Sequence, residues 1–190
     1  LGPFLFFDRN LIPGAVLAVP AALHAAGVTR LRTVMQPWNP KLRPSAARLD
    51  GRPPDLLLVS SMQIHEEAAY GLVRDAWRLG DERPLILAGG PKAIYEPWDF
   101  FGLSADGREG ADVAVTGEEF VILELLDRLL EHRGEGETLR AAFERVRSAG
   151  LLDDIPGLVY RPDPAGGPPE HLVDTGPQRI LCDLDELPLP

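Results

Sequence analysis

The fold is decided by three short apolar runs: Asp55-Leu-Leu-Leu-Val-Ser-Ser61, Pro84-Leu-Ile-Leu-Ala-Gly-Gly90 and Ala111-Asp-Val-Ala-Val-Thr-Gly117. Each run is continuous rather than alternating, as expected of a strand that is buried on both faces of a parallel sheet. Residues 65–79 follow the first run and residues 119–133 follow the third, and both segments repeat apolar residues at helical spacing. This succession of strands and helices predicts parallel βαβ units.

The N-terminal part of the chain extends the same pattern. Pro3–Phe7 predicts a first strand, and Arg30–Gln36 predicts a second. Between them, Ala15–Ala26 has helical spacing, although Pro20 should either kink this helix or mark its start. We therefore predict an α/β domain built on a doubly wound, five-stranded parallel sheet of the flavodoxin-like or Rossmann-like type, with strand order 2-1-3-4-5.

The pattern changes after Gly134. Residues 139–146 predict a short amphipathic helix, and two further strands, Gly157–Arg161 and Gln178–Cys182, predict a hairpin around a Pro/Gly-rich connection beside the main sheet. We accordingly divide the chain into an α/β domain over residues 1–133 and a helix, hairpin and linker over residues 134–190.

Composition excludes several classes of function. The chain has 190 residues, a formal charge of −10 and no cluster of lysine and arginine, which argues against a nucleic-acid partner. The single cysteine, Cys182, excludes an intrachain disulfide and a multi-thiolate metal site. No apolar run reaches the roughly 18 residues that predict a membrane helix. We expect a cytoplasmic protein with no membrane partner.

Candidate binding residues follow the carboxyl ends of the predicted strands, because open parallel sheets bind ligands at that edge. Two glycines directly after a buried strand allow a ligand to approach the backbone, and free N–H groups there bind phosphate; a tight turn that needs positive φ explains them equally well. The serines and the threonine either bind the ligand or cap the helices that follow, and Thr116 with Glu119 has the form of a capping box. The candidate cofactor-binding residues are Ser60, Ser61, Met62, Gln63, Gly89, Gly90, Pro91, Lys92, Thr116, Gly117 and Glu118.

Several catalytic motifs are absent from the sequence. It has no G-x-G-x-x-G turn after the first strand, no Walker-type loop, no serine nucleophile elbow and no His/Cys metal cluster. We therefore assign no catalytic residue and no protein metal ligand, and we do not expect this chain to be catalytic by itself.

Three segments carry a resemblance to a known family: residues 54–61, residues 84–91 and residues 110–119. In their order and spacing they resemble the N-terminal cobalamin-binding domain of cobalamin-dependent radical S-adenosylmethionine enzymes. Ile155–Arg161 and Asp183–Pro190 resemble the segment that leads into the radical barrel of that family. The resemblance spans nearly the whole chain.

The resemblance implies a flavodoxin-like domain that holds cobalamin, with the nucleotide tail of the cofactor along the carboxyl edge of the sheet. In this chain Ser60, Ser61, Gly89, Gly90, Pro91, Thr116, Gly117 and Glu118 would line the tail, and Met62 and Gln63 would lie nearer the corrin. The D-x-H-x-x-G motif of histidine-ligating cobalamin domains is absent, because His65 is followed by Glu-Glu-Ala-Ala. The second predicted strand also lacks the acidic residue that is often found there.

The family's C-x-x-x-C-x-x-C motif is absent as well, so we expect a piece of a longer enzyme that stops before the barrel. In such an enzyme S-adenosylmethionine and a 4Fe-4S cluster belong to the downstream radical domain, which is this module's partner. The reaction implied is methyl transfer to a small-molecule or peptide substrate. Two alternatives remain open: a flavodoxin-like regulatory or interaction domain without a cofactor, and a flavin or nucleotide binder.

Overall fold

The computed structural model describes residues 14–163 and 171–180. The chain divides into two compact units, Leu1–Leu42 with Leu181–Pro190, and Arg43–Ile180. The predicted strand Pro3–Phe7 and the closing linker lie outside the described residues.

In the described part of the first unit, one α-helix and one short 3-10 helix form, the latter over Gln36–Trp38. Helix α1 (Gly14–Ala25) confirms the predicted helix and continues through Pro20 rather than beginning there. The strand predicted over Arg30–Gln36 is wrong, because this segment has no regular secondary structure before the 3-10 helix. Arg32, Thr33 and Val34 are exposed, so the segment has no buried face to favour a strand, and none of its backbone groups joins a described sheet.

The second unit is an α/β fold around a five-stranded sheet. Its elements in chain order are β1 (Leu56–Ser60), α2 (Glu66–Trp77), β2 (Leu85–Gly89), α3 (Pro91–Tyr95), β3 (Val113–Val115), α4 (Glu119–His132), α5 (Leu139–Ser148), β4 (Leu158–Tyr160) and β5 (Val173–Asp174). Short 3-10 helices cover Pro44–Ala46, Gln63–His65, Gly80–Glu82 and Pro97–Phe100.

The strands lie in chain order, β1-β2-β3-β4-β5. The first three are parallel, with Ser60 opposite Gly89 at the carboxyl end of the β1–β2 pair. Strand β4 then adds to β3 in the antiparallel direction, and β5 pairs with β4. Three of the five predicted parallel strands are therefore confirmed, and the hairpin belongs to the sheet itself instead of lying beside it.

Alternation along β2 sends side chains to both faces of the sheet. Ile86 and Ala88 pack in one core cluster with Val73 and Ala76 of α2 and with Ala114 of β3. Leu85 and Leu87, also fully buried, point the opposite way. On that second face α5 contacts β2 and packs against α4. Burial on both faces explains why the strands read as continuous apolar runs.

The second strand of the hairpin is shorter and earlier than predicted. Strand β5 covers Val173–Asp174, and residues 178–180 form no strand. The reason is that Gln178 turns its side chain toward the start of α4, while Ile180 is exposed. Cys182 lies outside the described residues.

Candidate functional site

The carboxyl ends of β1, β2 and β3 meet at one edge of the sheet because these strands are parallel. The predicted site residues follow those ends, in three loops that lead into α2, α3 and α4. Their packing falls into three different groups: a tight junction between the first two loops, a buried ion cluster, and a third loop covered by the C-terminal part of the unit.

The first group is the junction of the β1 and β2 loops. Gly90 has φ +81°, and a Cβ placed on it would lie 2.5 Å from Ser60 Oγ and 3.0 Å from the Ser61 carbonyl oxygen. Glycine is therefore required here by backbone conformation and by close packing, before any ligand is considered. By contrast, a Cβ on Gly89 would meet no heavy atom within 4 Å. Pro91 is exposed and begins α3.

Ser61 holds this junction together through its backbone. Its N–H donates to the Gly89 carbonyl at 3.2 Å, and its carbonyl accepts from the Lys92 N–H at 3.0 Å. Its hydroxyl is buried and has no hydrogen-bond partner among the described residues. An unpartnered buried hydroxyl is unfavourable, so the buried Ser61 hydroxyl is a candidate ligand contact.

The second group surrounds Lys92, whose side chain is only 3% exposed. Its Nζ lies 2.6 Å from Glu66 Oε2, 2.6 Å from Glu96 Oε2 and 2.5 Å from Asp99 Oδ2. Tyr70, packed edge-on against Phe100, completes the cluster. The ammonium group therefore donates hydrogen bonds to three carboxylates of its own chain.

Two pKa shifts follow from this cluster. Burial alone lowers the pKa of Lys92, but the hydrogen bonds to Asp99, Glu66 and Glu96 outweigh it and raise the pKa above its ordinary value. For the Tyr70 hydroxyl, by contrast, burial favours the neutral form and is the main cause of a raised pKa. Lys92 therefore stays charged and Tyr70 stays neutral at physiological pH.

The three carboxylates have the spacing of a metal site, since one oxygen from each lies within 4.8 Å of the others. Lys92 Nζ occupies the position between them that a cation would take. The cluster is therefore already neutralised in part by an internal cation.

A groove of about 610 Å³ opens beside this cluster. Its wall carries four carboxylates, from Glu66, Glu67, Glu96 and Asp99, against two cations, from Lys92 and Arg74. This acidic surface disfavours a phosphate group.

The third group follows β3. The Thr116 N–H donates to the Gly157 carbonyl at 2.8 Å, and the exposed residue Glu118, rather than Thr116, is the N-cap of α4. The N-cap side chain makes no capping hydrogen bond, so the predicted capping box is wrong. Gln178 Oε1 instead accepts from the Glu118 N–H and lies over Gly117.

Exposed apolar side chains surround the first two loops. Met62 and Ile64 follow β1 and are 51% and 80% exposed, while Ile94, Tyr95 and Trp98 follow β2 and are also exposed. Gln63, beside Met62, is exposed and lies at the rim of the acidic groove. Large apolar side chains concentrated at one edge are typical of a surface that another molecule covers.

The predicted residues do follow the carboxyl ends of parallel strands, but sequence reasoning missed what Lys92 and Gly117 contact. The pairing of Lys92 with Glu96 had a local signal, because opposite charges four residues apart meet on one face of a helix. Its pairing with Glu66 and the position of Gln178 had none, because these contacts join segments that are distant in sequence.

No family model, curated protein or solved structure matches this chain. Among the described residues, no helix is long and apolar enough to cross a membrane.

Proposed function

We propose that this chain is a cobalamin-binding module that presents the corrinoid to a downstream radical S-adenosylmethionine domain. The observation that carries the proposal is the group of exposed apolar side chains after β1 and β2, formed by Met62, Ile64, Ile94, Tyr95 and Trp98. Together with the family resemblance of the strand-end segments, it favours a large, flat and partly apolar cofactor at the carboxyl edge.

Some of the predicted polar groups are available to contact a cofactor, and others are already paired within the chain. Ser61 contributes a buried hydroxyl without a partner, and Gly89 leaves space for close approach to the backbone. Lys92 is committed to its three carboxylates, and the Glu118 N–H is committed to Gln178. The nucleotide tail would therefore run past Ser61 and Gly89 rather than over Gly117, unless Gln178 moves aside.

A doubly wound, flavodoxin-like arrangement belongs to the same proposal. It requires a further parallel strand beside β1, on the side away from β2. Within the described residues that side of β1 has no strand partner, and Leu56, Leu57 and Leu58 are only partly buried, in contrast to the fully buried β2.

Catalysis would reside in the full-length enzyme. The downstream domain would supply the 4Fe-4S cluster and S-adenosylmethionine, and methyl transfer to a small molecule or peptide is the reaction class that the resemblance suggests. The residues of this chain would bind and orient the corrinoid.

Retention of hydroxocobalamin tests the proposal. The purified chain is mixed with the cofactor, passed through gel filtration and scanned for corrin absorbance, and tryptophan fluorescence is followed because bound corrin should quench Trp98. We expect near-stoichiometric retention by the native chain and at least a tenfold weaker affinity for Ile94→Asp. Leu130→Asp, which places the same charge at an exposed position on α4, should bind like the native chain.

Failure of the folded native chain to bind cobalamin, or equal binding by Ile94→Asp, would contradict the proposal.

A second function, an interaction domain without a cofactor, is favoured by one observation: internal side chains already occupy the carboxyl edge of the sheet at Gly117 and Lys92. Under this second function neither cobalamin nor flavin mononucleotide is retained, and Gln178→Ala does not create binding.

A further inference from the structure

A cluster of arginines lies at the opposite edge of the sheet from the proposed cofactor site. Arg83 lies two residues before the start of β2, and Arg161 immediately follows antiparallel β4, so both lie at the amino ends of the parallel strands. Arg147 reaches the same place from the last turn of α5. Sequence reasoning that considered only the carboxyl edge missed this cluster.

The arginines enclose a small cavity of about 40 Å³. This is more than the roughly 10–15 Å³ that one water needs, and too little for an organic ligand. Its wall includes the four guanidinium groups of Arg83, Arg108, Arg147 and Arg161.

Arg83 is fully engaged. Its Nη1 and Nη2 donate to the two carboxylate oxygens of Asp112 at 2.7 Å each, and its guanidinium lies 4.1 Å from the centre of the Trp77 ring. Asp112 also accepts from the Ile86 N–H at 2.8 Å. This carboxylate therefore has little capacity left for the other arginines.

Arg147 and Arg161 each have buried N–H groups without a hydrogen-bond partner among the described residues. Arg147 is 8% exposed, and neither its Nε nor its Nη2 has a hydrogen-bond partner among the described residues. Arg161 donates through Nη2 to the Gly107 carbonyl at 2.7 Å, but its buried Nε also lacks a partner there. Burial lowers the pKa of both guanidinium groups.

The remaining charges around the cavity leave a positive balance. Against the four arginines stand Asp112, Glu144 and Asp163. Asp112 is held by Arg83, and Glu144 lies 3.6 Å from Arg140. Buried charged donors without acceptors are unfavourable, so native structures normally supply an ion, a water or a ligand to them.

We propose that this amino-edge arginine cavity binds one small tetrahedral oxyanion, phosphate or sulfate. Guanidinium groups match such oxyanions because their planar N–H forks donate two parallel hydrogen bonds. The free N–H groups of Arg147 and Arg161 supply buried donors, and Arg108, whose side chain is exposed, also lines the cavity. The site is independent of the proposed cobalamin site.

Isothermal titration calorimetry of the dialysed chain with sodium phosphate and with sodium sulfate tests this proposal, at constant ionic strength and pH 7. Sodium chloride and sodium acetate are the comparison anions. We expect saturable one-site binding of phosphate and sulfate, and at least tenfold weaker binding of chloride and acetate. Arg147→Met should weaken phosphate binding at least tenfold.

The control is Arg145→Met, which removes the same charge from the same helix at an exposed position outside the cavity, and it should leave phosphate affinity unchanged. Because Arg147 is buried, Arg108→Met serves as a second variant that spares the core, and it should weaken phosphate binding severalfold. The proposal is overturned by the absence of saturable binding, or by affinities in the folded Arg147→Met and Arg108→Met variants equal to that of the native chain.

Discussion

Gln178 accepts a hydrogen bond from the backbone N–H of Glu118 across sixty residues of sequence. The same side chain lies over Gly117, so that a Cβ on this glycine would overlap Gln178 Oε1 and lie 2.7 Å from Val121 Cγ2. The segment after β5 therefore covers the exit of β3, and Gly117 has a packing role.

Gly117→Ala should destabilise the second unit by about 1–3 kcal/mol, the usual cost of inserting a methyl group into a filled space. Gly89→Ala is the matched control, because its Cβ would meet no atom within 4 Å. The measurement is urea unfolding followed by circular dichroism. Equal midpoints for the two variants would show that Gln178 does not pack over Gly117.

The sequence predicted the central part of the fold because a strand that is buried on both faces needs a continuous apolar run, which is easily recognised. Strands β1, β2 and β3 and helices α2 and α4 fall within predicted segments, and α5 starts at the predicted residue and runs two residues further, since their apolar residues follow either a continuous run or a helical period. The strand predicted over residues 30–36 failed because a short segment with β propensity needs a partner strand and a buried face.

The candidate site could be located only coarsely. Strand ends identify an edge of a parallel sheet, but they do not say which side chains at that edge are already paired. Sequence reasoning includes Lys92 among the candidate cofactor-binding residues because its partners Glu66 and Asp99 lie on other segments. The arginine cavity escaped notice because its members are spread from Arg83 to Arg161.

Lys92→Met should destabilise the chain by about 3 kcal/mol, because it leaves three carboxylates without their central cation. The loss is at the low end for a broken buried pair, since the carboxylates remain roughly two-fifths exposed. Lys41→Met, an exposed lysine, should change the free energy of unfolding by less than about 0.5 kcal/mol. Similar losses for the two variants at pH 7 would argue against the cluster.

Calcium should restore part of the lost stability in Lys92→Met. Oxygens of Glu66, Glu96 and Asp99 lie within 4.8 Å of one another, and oxygen ligands suit Ca²⁺. We expect millimolar CaCl₂ to raise the thermal midpoint of Lys92→Met and to leave the native chain unchanged, because Lys92 Nζ fills the position. An equal response of both proteins, with NaCl matched for ionic strength, would refute this expectation.

Arg83→Lys should be costly although it preserves charge. A lysine cannot reproduce the paired 2.7 Å hydrogen bonds to Asp112 and cannot stack as a plane on Trp77. We expect a loss of about 2 kcal/mol in the free energy of unfolding, which is less than the roughly 3–5 kcal/mol for removing one partner of a buried pair because lysine keeps the charge. Arg78→Lys is the control, because this arginine is largely exposed and lies 3.5 Å from Asp75. If Arg83→Lys lowers the free energy of unfolding no more than Arg78→Lys does, the paired hydrogen bonds between Arg83 and Asp112 are not important for stability.

Asp154→Asn should change the dependence of stability on pH. Arg128 on α4 donates to both oxygens of Asp154, at 2.9 and 3.1 Å, and this hydrogen bonding lowers the pKa of the Asp154 carboxyl. A carboxyl with a lowered pKa in the folded state stabilises the fold above its ordinary value of about 3.9 and loses that contribution as the pH falls through the lowered pKa. The native chain should therefore exceed Asp154→Asn in urea midpoint at pH 6, and the difference between the two midpoints should shrink as the pH falls below about 3.9. Asp127→Asn makes the same charge change at an exposed position on α4 and serves as the comparison. A difference between the native chain and Asp154→Asn that stays constant from pH 6 to pH 2.5 would show that the ion pair does not contribute.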